Sequence, residues 1–293
     1  MSVIFPEEEA RAIADRLFEH YAQLSPLQRV MGGYESATEE KFQLIRVSVK
    51  KILNHVPLQY VLGKAWFMDM EFVVNKSVLI PRPETEEMVS LILKNLPSKE
   101  SLRDFKILDI GTGSGCIAIS LKKHIAESSV TAIDISGDAL KVAATNAADN
   151  DVTIRFVEAD ILNQENWALL PESDLIVSNP PYVTVSEKKF MQPNVLDYEP
   201  HTALFVPDDD PLIFYRFIMA FAKDTLNPTG SLWFEINEKF GDKLKDIALN
   251  QGFSEANIFF DLRGKSRFLQ CRKNRNSNTH PLILINQKHD RND

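Results

Sequence analysis

From Lys106 onward, short β-rich runs alternate with helical runs, and this alternation limits the possible folds more than any other feature. Candidate strands cover 106–110, 130–134, 153–157, 174–178 and 231–236, with helical stretches near 115–124, 136–149 and 211–225. Consecutive strands joined through helices run parallel, because a parallel pair needs a long crossover and its helices then cover both faces of the sheet. The last two candidate strands, 256–261 and 266–271, are separated by a turn containing Arg263-Gly264-Lys265. That turn is too short for a helical crossover, so the pair is expected to be antiparallel. The expected fold class is α/β: a doubly wound, mostly parallel sheet closing on a C-terminal antiparallel hairpin, unlike a plain dinucleotide-binding fold.

Upstream, Ala10, Ile13, Leu17 and Tyr21 recur at helical spacing over residues 7–23. Ser36 and Glu39 have the spacing of a capping box. The helix it would open aligns Phe42, Ile45, Val49 and Ile52 before Pro57 ends it. Residues 1–63 therefore read as a small helical N-terminal domain, either a packing lid or a surface for a protein partner. Residues 64–82 mix aromatic and β-branched side chains around Asn75-Lys76 and read as a β-hairpin linker. Pro81 and Pro83 stiffen the entry to the main domain, 83–272, and Glu84 or Thr85 can start a helix bearing Met88, Leu91 and Ile92. The polar tail, 273–293, is expected to be disordered.

Charge narrows the choice of partners. Lys and Arg number 33 against 41 Asp and Glu, a formal charge of −8. Proteins that grip bare nucleic acid carry a basic face to neutralise phosphates, so direct nucleic-acid binding is not expected. No apolar run approaches the ~18 residues of a spanning helix, so no membrane partner is expected. The N-terminus lacks the basic start and apolar stretch of a secretory signal. Cys116 and Cys271 are too far apart in sequence to read as a disulfide framework or a metal site. The expectation is a cytoplasmic protein without a metal, monomeric by default.

Asp109-Ile110-Gly111-Thr112-Gly113-Ser114-Gly115 follows a strand and opens a helix. Glycines let the turn take positive φ and let a ligand approach the backbone closely, and the start of a helix offers free N–H donors. Such a turn is not specific alone, since dinucleotide sites use the related Gly-x-Gly-x-x-Gly. Asp134 ends the next strand, where a carboxylate can accept both hydroxyls of a ribose. A helix cap explains an Asp there equally well. Asp160 ends the third strand and could accept from an adenine amino group while Ile161 packs on the ring. A turn residue is its plainer reading. All these strand ends lie on one edge of the sheet, where open α/β folds bind ligands.

Asn179-Pro180-Pro181-Tyr182 follows the strand 174–178 on that same edge. A proline-stiffened turn is the plain reading, but the residue types also suit one chemistry. Methyl transfer from a sulfonium is an in-line displacement, with the nucleophile about 3 Å from the methyl carbon. An amide or aromatic amine nitrogen is a poor nucleophile because its lone pair is delocalised. Its N–H bonds must be held so that the lone pair faces the methyl. The Asn179 side-chain oxygen and the Pro180 carbonyl offer two convergent acceptors, and the prolines hold that carbonyl rigid. Tyr182 offers a flat face for a planar amide or base. Neither a metal nor a strong general base is required.

The glycine turn together with Asn-Pro-Pro-Tyr resembles class I methyltransferases acting on exocyclic or amide nitrogens, a group that includes adenine-N6 and cytosine-N4 nucleic-acid enzymes. Further segments resemble the release factor glutamine N5-methyltransferase family, HemK/PrmC. These are 57–63 (PLQYVLG), 67–74, 80–86 (IPRPETE), 176–182 (IVSNPPY), Tyr198-Glu199-Pro200, Ala203-Leu204-Phe205 and 261–267 (DLRGKSR). IPRPETE is the most specific single piece.

This resemblance implies a class I methyltransferase domain over 83–272. It implies S-adenosyl-L-methionine as cofactor, with S-adenosyl-L-homocysteine as product, and release factors as protein substrates, methylated on the glutamine of their Gly-Gly-Gln motif. Carried over by position, Asp109, Gly111, Thr112, Gly113, Ser114, Gly115, Asp134, Asp160, Ile161 and Asn179 would contact the cofactor. Asn179, Pro180, Pro181 and Tyr182 would hold the glutamine. Pro83, Glu84 and Thr85 would lie near the site without an assigned step. A nucleic-acid adenine or cytosine methyltransferase is the alternative. Two segments depart from the family pattern: 206–211 (VPDDDP) replaces a glycine-rich stretch, and Asn237 follows Glu235-Ile236 where many members have Gly.

Overall fold

The structure is a computed structural model that describes residues 5–32, 38–97 and 102–273. The chain opens with helices α1 (Glu7–Ala22), α2 (Pro26–Val30), α3 (Glu39–Leu53) and α4 (Leu58–Leu62). Ile13 and Leu17 of α1 meet Ile45 and Ile52 of α3 in a small apolar core. The expected cap Ser36 lies outside the described residues. The observed cap of α3 is Thr38, whose hydroxyl accepts from the Lys41 N–H at 3.4 Å, and Glu39 is the first helical residue.

Strands β1 (Lys64–Phe67) and β2 (Met70–Val73) form an antiparallel hairpin. It turns at Met68 and Asp69, with φ of 48° and 59°, and not at Asn75-Lys76. A two-residue hairpin turn needs positive φ to match the twist of its strands, and Met-Asp carries only the weak signal of its Asp, with no Gly or Asn. The Asn75 side chain instead accepts from the Ser77 N–H at 2.8 Å. Phe67 and Phe72 turn inward, edge to face, and anchor the hairpin in the main core. Helix α5 (Pro83–Lys94) begins at Pro83, where a missing N–H costs nothing. Glu84 and Thr85 fall inside its first turn rather than starting it.

The rest of the chain builds the sheet. In order come β3 (Lys106–Ile110), α6 (Cys116–His124), β4 (Ser129–Asp134), α7 (Gly137–Asp149), β5 (Arg155–Glu158), β6 (Ser173–Ser178), β7 (Val183–Thr184), α8 (Pro193–Leu196) and β8 (Phe205–Val206). Then follow α9 (Ile213–Thr225), β9 (Leu226–Glu235), α10 (Gly241–Asn250), β10 (Glu255–Phe260) and β11 (Ser266–Arg272). Among the described residues the main sheet runs β10-β11-β9-β6-β3-β4-β5, with β11 antiparallel to both neighbours and the other neighbouring pairs parallel. Strand β5 starts at Arg155 and ends at Glu158, so Asp160 lies two residues beyond the strand rather than at its end. Strand β9 begins at Leu226, earlier than expected, and α10 was not foreseen from the sequence.

Alternate residues enter opposite cores. Leu108, Ile176, Leu232 and Phe234 face α9 and α10, while Ile107, Leu175, Val177 and Trp233 face α5 and α6. The chain winds outward from β3 through β4 to β5, then returns to place β6 on the other side of β3. The strand order therefore reverses between β3 and β6, and the crevice at their carboxyl ends is where such sheets hold ligands.

Candidate functional site

The glycine turn sits at that reversal. Its N–H groups at Gly111 and Thr112 both donate to the Ile133 carbonyl, at 2.9 Å each, which ties the turn to the end of β4. Gly111 and Gly113 have φ of 74° and 55°, and a Cβ at either would stand in open space. These two glycines face the cleft and serve a positive-φ turn that a ligand can approach closely. Gly115 differs: a Cβ there would meet Ile119 Cδ1 at 3.0 Å and Ala143 Cβ at 3.2 Å, so it lets α6 and α7 pack.

Asp109 lies beneath the turn, fully buried. Its Oδ2 accepts from the Thr112 hydroxyl at 2.7 Å and the Ala118 N–H at 3.2 Å, while Oδ1 has no partner. Burial pushes its pKa up to about 7, against the lowering pull of those two bonds. Asp134 reaches back from the end of β4. Its two oxygens accept from the Gly113 and Ser136 N–H groups, each at 2.9 Å. A carboxylate has about four acceptor positions, so two remain for a ligand. Burial raises its pKa as well.

A cleft of about 340 Å³ runs along these groups. Gly111, Gly113, Asp134, Asp160, Ile161, Asn179, Pro180 and Pro181 all line it. Asp109, Thr112, Ser114 and Gly115 do not; they shape the turn from behind. Asp160 is held by its own loop, with Oδ1 accepting from the Leu162 N–H at 2.9 Å. Residues 77–79 and part of 200–205 form a further wall that the strand pattern did not foreshadow. These loops are fixed by Glu199, buried, which accepts from the Ile80 N–H at 3.1 Å and from Arg82 at 2.5 Å. The family resemblance at IPRPETE, Tyr-Glu-Pro and Ala-Leu-Phe touched these loops, while 77–79 had no signal of their own.

At Asn179 and Pro180 the cleft meets a second, smaller recess of about 60 Å³, whose walls include Tyr182, Arg82, Leu204 and Glu235. The Asn179 Nδ2 donates to Thr85 Oγ1 at 3.1 Å, and Thr85 donates to Glu235 Oε2 at 2.6 Å. The Tyr182 hydroxyl donates to Glu235 Oε1 at 2.9 Å. Burial raises the pKa of Glu235, and the Thr85 and Tyr182 hydrogen bonds oppose that shift. Burial, followed by the adjacent Glu235 charge, holds Tyr182 well above the ordinary phenol range, so it remains a donor. Pro83 lines a separate surface cleft beside Trp66 and Arg82. Glu84 lines neither compartment, although its charge adds to the upward shift of Glu235. The resemblance had set Thr85 near the site without a step; its partner Glu235 is a further candidate that spacing could not reveal, since 150 positions separate the two.

The chain has clear relatives among known proteins. The family model described as the PrmC N-terminal domain matches residues 6–63, and that of the methyltransferase small domain matches 82–196. A release factor glutamine methyltransferase of Flavobacterium psychrophilum is 42% identical over 272 residues, covering 92% of this chain and 94% of that protein. The chain belongs to the release factor glutamine methyltransferase family. A member from Bacteroides thetaiotaomicron is 40% identical over 271 residues, covering 92% of this chain and 95% of that one. A solved methyltransferase from Pyrococcus furiosus, 20% identical, superposes with a TM-score of 0.50 over 71% of this chain and 90% of its own. With the sheet order above, this makes the main domain a class I methyltransferase fold. Within the family frame, the departures at 206–211 and Asn237 have local structural uses. Asp210 pairs with Arg216 through two bonds of 2.6 Å, and the Asn237 amide donates to the Tyr182 carbonyl at 3.4 Å.

Proposed function

We propose that this chain transfers a methyl group from S-adenosyl-L-methionine to the side-chain amide nitrogen of a glutamine in a peptide-chain release factor. The observation that carries the reading is the junction at Asn179–Pro180, where a cleft of about 340 Å³ meets a recess of about 60 Å³. The larger space is of the size that holds a small cofactor. Its polar groups suit a nucleoside: Asp134 has acceptor positions left for ribose hydroxyls, Gly111 and Gly113 leave the backbone open, and Asp160 with Ile161 stands where adenine would lie. The bound cofactor supplies an electrophilic methyl on a sulfonium. The smaller space holds only a few water-sized groups. A primary amide fits those dimensions, and a pyrimidine or purine ring fills such a recess less comfortably. The nucleic-acid reading is therefore the weaker one.

In this reading the chain's own residues orient the amide. The Asn179 oxygen and the Pro180 carbonyl accept its two N–H bonds, Tyr182 packs against its plane, and the nitrogen lone pair is left facing the cleft; once methylated, the nitrogen releases one of those N–H protons past its acceptor to solvent. Against the protein walls of the recess the local dielectric is lower than in water, which strengthens both hydrogen bonds. Residues 1–63 and the hairpin linker serve as the surface that receives the rest of the factor, and the working compartment is the cytoplasm, where release factors act. The test is intact-mass analysis and peptide mapping of a release factor incubated with the protein and S-adenosyl-L-methionine, beside a factor with Gln replaced by Ala and a DNA control. One methyl on the Gly-Gly-Gln glutamine, absent from both controls, is the expected result. Methyl on DNA and none on the factor would overturn the reading.

A further inference from the structure

Thr85 is buried in the first turn of α5, with 3% of its surface exposed, yet its hydroxyl caps nothing. The bonds it makes leave the helix altogether. It donates to Glu235 at the end of β9 and accepts from Asn179 in the turn after β6. Glu235 is itself buried, with 1% exposed, and receives Tyr182 on its other oxygen. An ionised carboxylate can only accept. The single hydroxyl proton of Thr85 is thus committed to Glu235, and the Thr85 oxygen faces Asn179 as an acceptor. Only the NH2 end of the Asn179 amide satisfies it. The reversed amide would set two acceptors against each other at 3.1 Å.

We infer that Thr85 and Glu235 are positioning residues that fix the Asn179 amide in the one rotation presenting its oxygen to the substrate nitrogen. The inference rests on the methyl-transfer reading above. An asparagine amide is nearly symmetric in shape, so packing alone does not choose between its two orientations. A directional relay does choose. Burying a carboxylate is unfavourable for the fold, and an apolar side chain of similar volume would often serve stability as well. What such a side chain lacks is the power to accept from Thr85 on one oxygen and from Tyr182 on the other, and so to orient both together.

The relay has a consequence in pH. Glu235 is faced by Thr85 and Glu84 from α5, Tyr182 from the turn after β6, Arg267 from β11, Tyr215 from α9 and Cys116 from α6. Arg82 lines the same recess. Burial outweighs the favourable bonds and the Arg267 charge, so the carboxyl takes up a proton at a higher pH than an ordinary glutamate. Once protonated, it can donate, Thr85 is free to turn its hydroxyl toward Asn179, and the amide loses its enforced direction.

The test compares the wild type with Thr85→Val, Thr85→Ser and Glu235→Gln, measuring kcat and KM for a release factor at saturating S-adenosyl-L-methionine from about pH 5 to about pH 8. Thr85→Val keeps the shape and removes the hydroxyl. It is expected to lower kcat about tenfold or more with little change in KM, as small misplacements of reacting groups do. Thr85→Ser restores the hydroxyl and is expected to recover kcat to within about threefold of wild type. Glu235→Gln is expected to lose the fall in kcat on the acid side. Equal losses in Val and Ser, an unchanged kcat in Val, or an unchanged acid limb in Gln would overturn the inference while leaving an active wild type intact. A wild type that leaves the factor unmethylated would remove the parent reading and the inference with it.

Discussion

The two compartments of the site are built in different ways. The cleft comes from consecutive elements: the β3 turn, the end of β4, and the loop after β5 each contribute at the same sheet edge, one after another along the chain. The recess comes from distant ones. Asn179, Thr85 and Glu235 lie on a turn, a helix and a strand, separated by 94 and 150 positions, and side-chain hydrogen bonds join them. The cleft therefore inherits its shape from topology, whereas the recess must be tied together residue by residue. A substitution in the cleft should weaken binding by degrees. One in the recess should break an orientation and stop turnover.

The largest expected effect falls where the compartments meet. Asn179→Ala removes an acceptor aimed at the reacting nitrogen and should lower kcat on the order of a hundredfold, as removal of one preorganised polar group does. Near-native thermal unfolding should accompany that loss, since Asn179 is a half-buried turn residue. A variant retaining most of its turnover would refute the assignment of Asn179 and merge the two regions into one binding surface.

Asp134→Ala should produce the complementary result. The loss removes the acceptors proposed for the ribose and also frees the Gly113 N–H it now holds at 2.9 Å. Calorimetric titration with S-adenosyl-L-homocysteine should show affinity weakened about tenfold to a hundredfold, at 1.5–3 kcal/mol for a hydrogen bond to a charged group. The kcat at saturating cofactor should change far less than in Asn179→Ala. Equal loss of kcat in both would erase the distinction between holding and orienting.

The difference also explains what could be read from the sequence. Strand and helix alternation, the glycine turn and Asp134 were legible because each signal is local: a period, a turn residue, a strand end. Asp160 was placed at the tip of a strand that stops at Glu158, an error of the size that fraying strand ends produce. The hairpin turn at Met68-Asp69 was missed because half of its positive φ is carried by Met68, which has no turn preference, and Asp69 alone is a weak signal. For Thr85 the sequence offers a possible helix start and the resemblance a place near the site without a step, because neither shows the Glu on another strand that takes its hydroxyl. Glu199 stood in a family-like segment, but its bonds to Arg82 and the Ile80 N–H, across 117 and 119 positions, left no local signal for the same reason. Within the glycine turn, sequence also gave Thr112, Ser114 and Gly115 the same role as Gly111 and Gly113, whereas the turn places the first three behind the cleft.

That loop fixing gives an intermediate effect. Glu199→Ala would leave Arg82 without its carboxylate and the Ile80 N–H without its acceptor. A buried group left unpaired costs about 1–3 kcal/mol, to be read as a lowered midpoint in urea unfolding. Affinity for S-adenosyl-L-homocysteine should fall by a smaller factor than in Asp134→Ala, because the wall formed by 77–79 and 200–205 loosens without losing a direct contact. An unchanged midpoint would mean that this wall is held by its apolar packing instead.

The last effect, read only as a change with pH, distinguishes shape from contact inside the cleft region itself. Asp109 supports the glycine turn, and its folded pKa of about 7 stands above the ordinary 3.8. The folded protein thus binds a proton that the unfolded chain has already released over this interval. Stability from this group is fully present below about pH 3.8 and is lost as pH rises through about 7, at roughly 1.4 kcal/mol per pH unit within the window. Asp109→Asn keeps both observed bonds, because Thr112 and Ala118 donate to one oxygen and the amide nitrogen can occupy the place of the unpartnered one. Denaturant unfolding between pH 5 and pH 7 should show a smaller decline in the variant than in the wild type, the difference isolating Asp109 from Asp134 and Glu235, which burial shifts in the same direction. Parallel declines would mean that Asp109 stays ionised under the turn, with water or a cation reaching its free oxygen, and the support of the cleft would then be electrostatic rather than a matter of shape.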